Sequence, residues 1–494
     1  MTAQNQPRPS RESAIVIGGG IAGLLAARQL AQAGMKVTLV ERRNHLGGAV
    51  GAHLVGKLVL DSGAESFATR TSAVSDLLTE LGLGEKIVSP NPTGSWLYLP
   101  DGPHPAPKTG VLGIPGDLAD PTVREILGRA GLRRAKFDKH LPASIGSSAT
   151  TLGELVRVRM GQAALERLVT PVVLGVHATH PDTLELDSIA PGLREKMRET
   201  GSLATAAMML RKASKAGSQV AGIAGGMNQL SEALVNDVIR LKVRILTGYD
   251  AIAIDRDPAT GRWTLIQRQP EIGLKAAASS GKYIVLASDG PNCTRILGSH
   301  LPGAVVPQVG AGPEVALVTL VVDQPELDRF PRGTGLLVSE QVKSVRAKAL
   351  THATAKWEWI KDAAGPGRHV VRLSYGRASD DGPLQEVKLY DDQLIQLALH
   401  DAQKLLGVTL NRSHLIGADV VRWNGSLPTA TPGHREKVNT FREALKDLPG
   451  VTAVGAWLAG NGLAAVTADT QRVIEEFIVT QRGEKTSASK DFTA

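Results

Sequence analysis

Residues 14–23 read AIVIGGGIAG, an apolar run followed at once by glycines at 18, 19, 20 and 23. The apolar run predicts a buried β-strand, and the apolar spacing after Gly23 predicts a helix. A second strand, Lys36 to Val40, is predicted next and ends at Glu41. Strand, glycine-rich turn, helix, strand and acid in this register indicate a dinucleotide-binding βαβ unit.

Each glycine of the motif has a physical task. Gly18 permits the tight turn, Gly20 lets the backbone approach a pyrophosphate, and Gly23 allows close packing of helix on strand. The phosphates are expected at the helix N-terminus, where free N–H groups favour negative charge. Glu41 is expected to accept hydrogen bonds from ribose hydroxyls. The predicted cofactor contacts in this stretch are Gly18, Gly19, Gly20, Ile21, Ala22, Gly23, Glu41 and Arg42.

The basic pair Arg42-Arg43 after the second strand leaves two interpretations open. It could bind the 2′-phosphate of NADP, or it could be a solvated turn, which is the commoner role of such a pair. The following residues, Asn44 to Gly48, extend the motif beyond the acid.

Composition excludes several functional classes. The chain has 494 residues, 42% of them apolar, and a net charge of +8, which is typical of a soluble protein with an ample core. Only 3% of the residues are aromatic, too few stacking platforms for a single-stranded nucleic-acid binder. The one cysteine, Cys293, excludes an internal disulfide and a multi-cysteine metal site.

The rest of the chain alternates strand and helix patterns. A helix is predicted from Ser75 to Leu83, and a helical region from 117 to 182 follows a proline-rich loop. Val243 to Ile254 predicts one strand, and Thr467 to Val479 predicts a helix after the glycines at 460 and 462. Buried strands that return late in the chain indicate a dinucleotide domain interrupted by substrate-binding segments.

Two stretches bear on membranes. The basic run from Arg124 to His140 predicts a solvated helix face, with docking to a membrane surface or a partner as the alternative. The uncharged stretch 451–468 is long enough to span a bilayer, but its glycines indicate buried backbone. The polar N-terminus indicates no export signal.

Several segments together resemble the protoporphyrinogen/coproporphyrinogen oxidase family, FAD-dependent enzymes of haem synthesis. They occur in the family's order: GGGIAGLLAA at Gly18, SGAESFATR at Ser62, YLPDGPHPAP at Tyr98, RLVTPVVLGVHATHPDTLEL at Arg167, AGGMNQL at Ala224, GTGLLV at Gly333, KWEW at Lys356, RWNGSLPTATPGH at Arg422 and GAWLAGNGLAAVTADT at Gly455. The chain is most similar to the Gram-positive and actinobacterial branch, whose members act on coproporphyrinogen III.

The resemblance implies an α/β fold with a Rossmann-like FAD-binding domain of the amine-oxidase/p-hydroxybenzoate-hydroxylase type, a mixed-sheet substrate domain and a helical insertion. The expected FAD-binding domain comprises 11–56, 220–300 and 438–485. The expected substrate domain comprises 57–116, 183–219 and 301–437. A helical domain is expected at 117–182, and disordered tails at 1–10 and 486–494.

The resemblance also implies further site residues. Non-covalent FAD would contact Gly47, Gly48, Ser62, Gly63, Ala64, Glu65, Ala251, Trp423, Ala465, Val466, Thr467 and Ala468. Gly335 and Leu337 would line the substrate side of the flavin. Ser95 lies at about the place where the family often has an arginine that can hold a propionate, so the resemblance leaves the substrate-anchoring residues open.

The implied reaction is the oxygen-dependent, six-electron oxidation of coproporphyrinogen III to coproporphyrin III with release of hydrogen peroxide. Protoporphyrinogen IX is the alternative substrate, and a flavin amine oxidase or carotenoid desaturase is the further alternative. Because the flavin carries the redox chemistry, no catalytic side chain is predicted. The expected partners are the porphyrinogen, O2 and a downstream ferrochelatase; a cytoplasmic enzyme with at most peripheral membrane contact is implied.

Three further features were weighed for chemistry. The HxxH spacing of His177 and His180 suits a metal, but without a third ligand an ordinary histidine pair is predicted. Cys293 is predicted to be a small buried residue rather than a flavin attachment point. Lys356-Trp357 is predicted either to lie near the active site or to be structural.

Overall fold

The computed structural model describes residues 12–213, 219–269, 278–302, 312, 314–376, 385–424 and 431–488. The expected disordered segments 1–10 and 489–494 lie outside the described residues. Residues 486–488, which we expected in the C-terminal tail, are helical.

The strands, in chain order, are β1 (Ser13–Ile17), β2 (Lys36–Glu41), β3 (Ala52–Val55), β4 (Leu58–Asp61), β5 (Phe67–Ala68), β6 (Ile87–Val88), β7 (Trp96–Leu99), β8 (Gly102–Pro105), β9 (Gly110–Val111), β10 (Ile114–Pro115), β11 (Val220–Ile223), β12 (Arg244–Thr247), β13 (Asp250–Arg256), β14 (Trp263–Arg268), β15 (Ser279–Gly281), β16 (Tyr283–Leu286), β17 (Val315–Asp323), β18 (Gly335–Val338), β19 (Ala349–His352), β20 (Arg368–Tyr375), β21 (Leu415–Trp423) and β22 (Val451–Ala453).

The α-helices are α1 (Ile21–Gln32), α2 (Ala73–Glu80), α3 (Pro121–Lys136), α4 (Leu152–Met160), α5 (Gln162–Ala164), α6 (Thr170–His177), α7 (Leu186–Ile189), α8 (Leu193–Thr200), α9 (Leu203–Ala213), α10 (Asn228–Arg240), α11 (Gly290–Leu297), α12 (Ala353–Lys356), α13 (Glu358–Ala364), α14 (Asp391–Leu406), α15 (His434–Leu445), α16 (Ala456–Ala459) and α17 (Leu463–Ala488). None of the helices in the described residues combines the length and the apolar character that crossing a bilayer requires.

A five-stranded parallel sheet in the order β12-β2-β1-β16-β22 forms the first layer. Its central strands are buried on both faces, which explains why β1 and β16 read as unbroken apolar runs. Helices α1, α10 and α17 contribute to the apolar core on one face. The meander β13-β14-β15, α11 and α15 pack on the other face, around Trp263 and Phe441.

The predicted single strand Val243 to Ile254 is two strands. Gly248 has a φ of +76° and breaks the run, so β12 joins the parallel sheet while β13 pairs with β14. This left-handed turn also lets the amide of Tyr249 donate to the carbonyl of Glu41 at 3.0 Å, which brings the meander beside the predicted ribose acid.

A mixed seven-stranded sheet in the order β21-β17-β20-β19-β18-β7-β8 forms the second layer. All its neighbouring pairs are antiparallel except β18 with β7. One face packs on α14, with Leu320, Leu373 and Tyr375 among its buried residues. The opposite face is left to line the site.

The apolar cores group two segments differently from the expected domains. Residues 183–213, expected in the substrate domain, share an apolar core with the helical region, because Leu186, Leu193 and Leu203 pack there. Residues 67–87, also expected in the substrate domain, pack with the layer of the parallel sheet, where Phe67 and Leu77 are buried. The predicted basic helix is α3, and its arginines and lysines are exposed as a solvated face predicts.

Candidate functional site

The glycine turn between β1 and α1 is closed by backbone contacts that a side chain would prevent. Gly18 has a φ of +111°, and a Cβ there would lie 2.6 Å from the carbonyl oxygen of Ala287. A Cβ on Gly23 would lie 1.8 Å from the carbonyl oxygen of Gly18. These two glycines therefore hold the turn against the strands.

Gly20 differs from them because its missing side chain faces open space. Its φ of −74° suits any residue, and a Cβ there would have only the Gly48 Cα within 4 Å, at 3.9 Å. Gly20 is the N-cap of α1 and lines the site cavity. A backbone cradle at a helix N-terminus, open where a side chain would fill it, fits a pyrophosphate.

Glu41 ends β2 with its carboxylate fixed by two backbone amides. Oε2 accepts from the Gly19 amide at 2.6 Å, and Oε1 accepts from the Arg43 amide at 2.8 Å. The side chain lines the cavity beside Tyr249 and Asp250. A carboxylate held in this way keeps further acceptor sites, which suit hydroxyl donors.

The Gly47-Gly48 pair is joined directly to the glycine turn. The Gly47 amide donates to the carbonyl of Gly19 at 2.8 Å, and Gly20 and Gly47 form an isolated parallel bridge. A Cβ on Gly48 would lie 3.0 Å from the Gly20 Cα. The segment after Glu41 therefore folds back to form the next part of the cavity wall.

An open cavity of about 610 Å³ extends from the glycine turn to the free face of the seven-stranded sheet. Its lining combines residues from both layers and from α6. The predicted cofactor residues among the lining residues are Gly18, Gly20, Ile21, Ala22, Glu41, Arg42, Gly47, Gly48, Gly63, Ala64, Ala251, Trp423 and Val466.

The remaining predicted cofactor residues lie behind this wall: Gly19, Gly23, Ser62, Glu65, Ala465, Thr467 and Ala468 are not among the lining residues. The Ser62 carbonyl accepts from Trp423 Nε1 at 3.2 Å and so orients a lining side chain. Ala465, Thr467 and Ala468 share the first turns of α17 with the lining residue Val466.

The structure places the predicted substrate residues Gly335 and Leu337 beside the cavity rather than on it. Gly335 is buried in β18, where a Cβ would lie 2.2 Å from the carbonyl oxygen of Leu350. The Leu337 side chain packs against Gly175 of α6, which does line the cavity. Leu337 thus supports the wall from behind.

Four residues on or beside the seven-stranded sheet line the cavity and are absent from the residues predicted from the sequence. Arg372 and Ser374 alternate on β20, Leu317 lies opposite Ser374 on β17, and Lys348 precedes β19. All four line the cavity, as does Val176 of α6. The alternation of β20 signals one shared face, but nothing local tells which face meets the cavity.

Arg43, for which the sequence leaves a solvated turn or a 2′-phosphate contact open, makes a cation–π contact in the structure. Its guanidinium lies 4.9 Å from the centre of the Trp423 ring, and both residues line the cavity. This cation–π contact joins the end of β2 to the end of β21.

Behind the wall, Glu65 bridges two cations. Oε1 accepts from Lys356 Nζ at 2.5 Å, and Oε2 accepts from Arg372 at 2.8 Å. Burial alone would raise the pKa of Glu65, but the two cations lower it to about 2. Lys356 thus lies behind the cavity wall and contacts Glu65, which in turn contacts the lining residue Arg372. Trp357 is buried against Gly222.

The described cavity lining does not include His177, His180 or Cys293. His180 lies 3.6 Å from carboxylate oxygens of Asp182 and Glu340, while burial lowers the pKa of His177 to about 4. Cys293 is fully buried, its thiol lies 3.2 Å from Ser288 Oγ, and burial raises its pKa to about 12. That thiol is neither accessible nor readily ionised.

Comparison with known proteins adds relatives along nearly the full chain. The family model described as flavin containing amine oxidoreductase matches residues 21–468. Coproporphyrinogen III oxidase of Mycobacterium tuberculosis (strain H37Rv) is 28% identical over 94% of this chain and 96% of its own length. The Bacillus subtilis protein of the same name is 27% identical over 92% of this chain and 95% of its own length.

Solved structures agree with these relatives. An Exiguobacterium protein assigned as a protoporphyrinogen oxidase has a TM-score of 0.82 at 26% identity, covering 95% of this chain and 99% of that one. Cyclohexylamine oxidase from Brevibacterium oxydans has a TM-score of 0.65 at 15% identity, covering 96% of this chain and 100% of that one. The second likeness concerns the fold alone.

Proposed function

Because the chain belongs to the flavin containing amine oxidoreductase family, we propose that it oxidises coproporphyrinogen III to coproporphyrin III in haem biosynthesis, with FAD as cofactor and O2 as acceptor. The observation that carries the proposal is one cavity that joins a dinucleotide cradle at Gly20 to the free face of the seven-stranded sheet. The names of the relatives at 27–28% identity support this substrate.

The residues present fit FAD. Gly20 and the N-terminus of α1 would hold the pyrophosphate, and Glu41 would hold a ribose. The wall formed by Gly47, Gly48 and Gly63 leaves room for a flat ring to lie against backbone. No cysteine or histidine occurs among the described lining residues, which supports non-covalent binding.

When bound, FAD supplies the two-electron acceptor for each of three oxidation steps, and O2 restores it with release of hydrogen peroxide. The chain's own residues bind and orient the substrate. Val315, Leu317 and Val176 offer apolar surface to a macrocycle, while Ser374 offers a hydroxyl donor to its carboxylates.

Protoporphyrinogen IX is the second candidate substrate, supported by the name of the Exiguobacterium relative. It carries two propionates where coproporphyrinogen carries four. Both porphyrinogens would place their ring against the same apolar residues, and the names of the relatives at 27–28% identity favour coproporphyrinogen III. We further propose that the product passes to a ferrochelatase.

Anaerobic mixing tests the proposal directly. Purified protein reconstituted with FAD should be yellow, release its flavin on denaturation, and lose its visible flavin absorbance when coproporphyrinogen III is added without O2. Readmitting O2 should restore the absorbance and produce peroxide. If the flavin stays oxidised with coproporphyrinogen III and also with protoporphyrinogen IX, the proposed function is refuted.

A further inference from the structure

Arg372 lies where the two halves of the cavity meet. It occupies the middle of β20, on the face that also presents Ser374 to the cavity, and its side chain is 13% exposed. Its guanidinium reaches across to the loop 61–66 after β4, which contributes Gly63, Ala64 and Ser66 to the lining. A residue of the seven-stranded sheet, from here on called the substrate sheet, thus touches the wall of the proposed cofactor site.

The guanidinium holds that loop at three points. Nη1 donates to the carbonyls of Asp61 and Gly63 at 3.1 and 3.0 Å, and Nη2 donates to Glu65 Oε2 at 2.8 Å. A rigid planar fork can satisfy several acceptors in one geometry, whereas a lysine ammonium on a flexible stem cannot span them.

Glu65 and Lys356 in turn fix the guanidinium. One carboxylate oxygen of Glu65 is used by each cation, and the side chains of Glu65 and Lys356 are only 15% and 17% exposed. A low pKa keeps Glu65 ionised at every physiological pH. Arg372 is therefore held from two sides, by the loop and by Lys356 through Glu65.

The loop has little freedom on its other side. A Cβ on Gly63 would lie 2.2 Å from the carbonyl oxygen of Ala49, in the segment that follows the Gly47-Gly48 pair. At the loop's start, the Asp61 carboxylate accepts from the Asn228 amide at 3.2 Å, at the beginning of α10. The loop is thus packed against the segment after Gly48 and the beginning of α10, and Arg372 joins it to the substrate sheet.

We propose that Arg372 is a positioning residue which, held by Glu65 and Lys356, fixes the flavin-facing loop 61–66 against the substrate sheet and so sets the distance between the cofactor ring and the substrate. The inference rests on the proposed function for the identity of the substrate. Its effect on the bound flavin is independent of that identity.

Three variants test the positioning role. Arg372→Lys keeps the charge but cannot reach three acceptors, Glu65→Gln removes the charge that fixes the guanidinium, and the double variant combines them. The readouts are the visible absorbance spectrum of bound FAD, which responds to hydrogen bonding around the ring, and kcat at saturating FAD. We expect Arg372→Lys to shift the flavin bands and lower kcat by roughly 10- to 100-fold, as a misplacement of about 1 Å does.

Because Glu65 acts through Arg372, the double variant should match Arg372→Lys, and Glu65→Gln should cause a smaller change in the same direction. If Arg372→Lys does not retain FAD, Lys356→Met is measured by the same two readouts in its place. This variant leaves all three hydrogen bonds of Arg372 possible and removes only the second cation on Glu65. Arg167→Lys is the matched control: Arg167 also binds a carbonyl and a carboxylate, of Ile126 and Asp101, but away from the cavity lining.

An unshifted flavin spectrum with kcat within twofold of the parent in Arg372→Lys would overturn the proposal, as would multiplying effects in the double variant. Equal effects from Arg167→Lys would show general destabilisation and would also overturn it. If the parent protein does not oxidise coproporphyrinogen III but Arg372→Lys still shifts the flavin bands, the proposed function fails and the positioning role stands.

Discussion

At the residue scale, Gly20→Val separates cofactor binding from folding. The φ of −74° accepts valine, and the added atoms would enter the cavity rather than the core. We expect the variant to fold, with a melting temperature close to that of the apo parent, and to lose FAD on gel filtration. Flavin absorbance relative to protein absorbance measures the loss.

Gly23→Ala is the contrasting change, because its Cβ would lie 1.8 Å from the Gly18 carbonyl oxygen. It should destabilise the fold itself. FAD retained by Gly20→Val at the parent ratio would contradict the placement of the pyrophosphate.

Cys293→Ser should leave acid-releasable flavin and activity unchanged, since the thiol is buried and protonated. Lost activity with the fold intact would contradict that interpretation.

The same residues show what the sequence could predict. The glycines and Glu41 were predictable because their chemistry is local: tight turns, a helix N-terminus and a strand end occur within about thirty residues. Arg372 on β20 and Lys348 just before β19 were not predictable as cavity residues, since lysine and arginine side chains usually face solvent. Only the pairing of β20 with β17 and β19 turns them toward the cavity.

At the scale of elements, a buried ion pair holds the helical region together. Arg159 of α4 donates to Asp138 Oδ1 at 2.6 Å, both side chains being at most 1% exposed, and the second carboxylate oxygen accepts from Ser202 at the start of α9. Arg159→Met should lower the free energy of unfolding by about 3–5 kcal/mol, because it leaves a buried charge unpaired. Urea unfolding measures the loss.

Lys446→Met is the control at this scale, since it breaks an exposed pair with Glu443 whose expected contribution is below about 1 kcal/mol. Equal losses in the two variants would refute the structural role of Arg159. The apolar core of the helical region includes residues of α7 to α9, which carry no local mark of the core they join. Their apolar residues would have suited either neighbouring layer.

At the scale of the whole molecule, buried histidines predict a stability that depends on pH. His352 and His369 lie 3.0 Å apart between ring nitrogens, and His369 contacts Asp328 at 3.0 Å. Burial, with the neighbouring histidine, lowers the pKa of His352 to about 3, and burial lowers the pKa of His369. Both shifts favour the neutral form, so this stability is complete above about pH 6.5 and is lost as pH falls toward 3.

We expect the free energy of unfolding to fall by on the order of 1–2 kcal/mol for His352 between pH 7 and pH 5. His352→Gln should flatten the dependence, while His45→Gln on the surface should leave it unchanged. A parent protein whose unfolding free energy is the same at both pH values, with an unchanged profile in His352→Gln, would contradict the assignment.

The discontinuous architecture was predictable in outline because the buried strands β16 and β22 return to the sheet begun by β1. Where each layer ends was not predictable, because boundaries depend on which distant face an apolar helix meets.

The measurement that tests the central claim most directly is steady-state oxidation of coproporphyrinogen III and protoporphyrinogen IX by the FAD-loaded protein, followed by porphyrin fluorescence and peroxide. The account predicts faster turnover of coproporphyrinogen III with three peroxide molecules per porphyrin; fluorescence from neither substrate, or a clear preference for protoporphyrinogen IX, would contradict it.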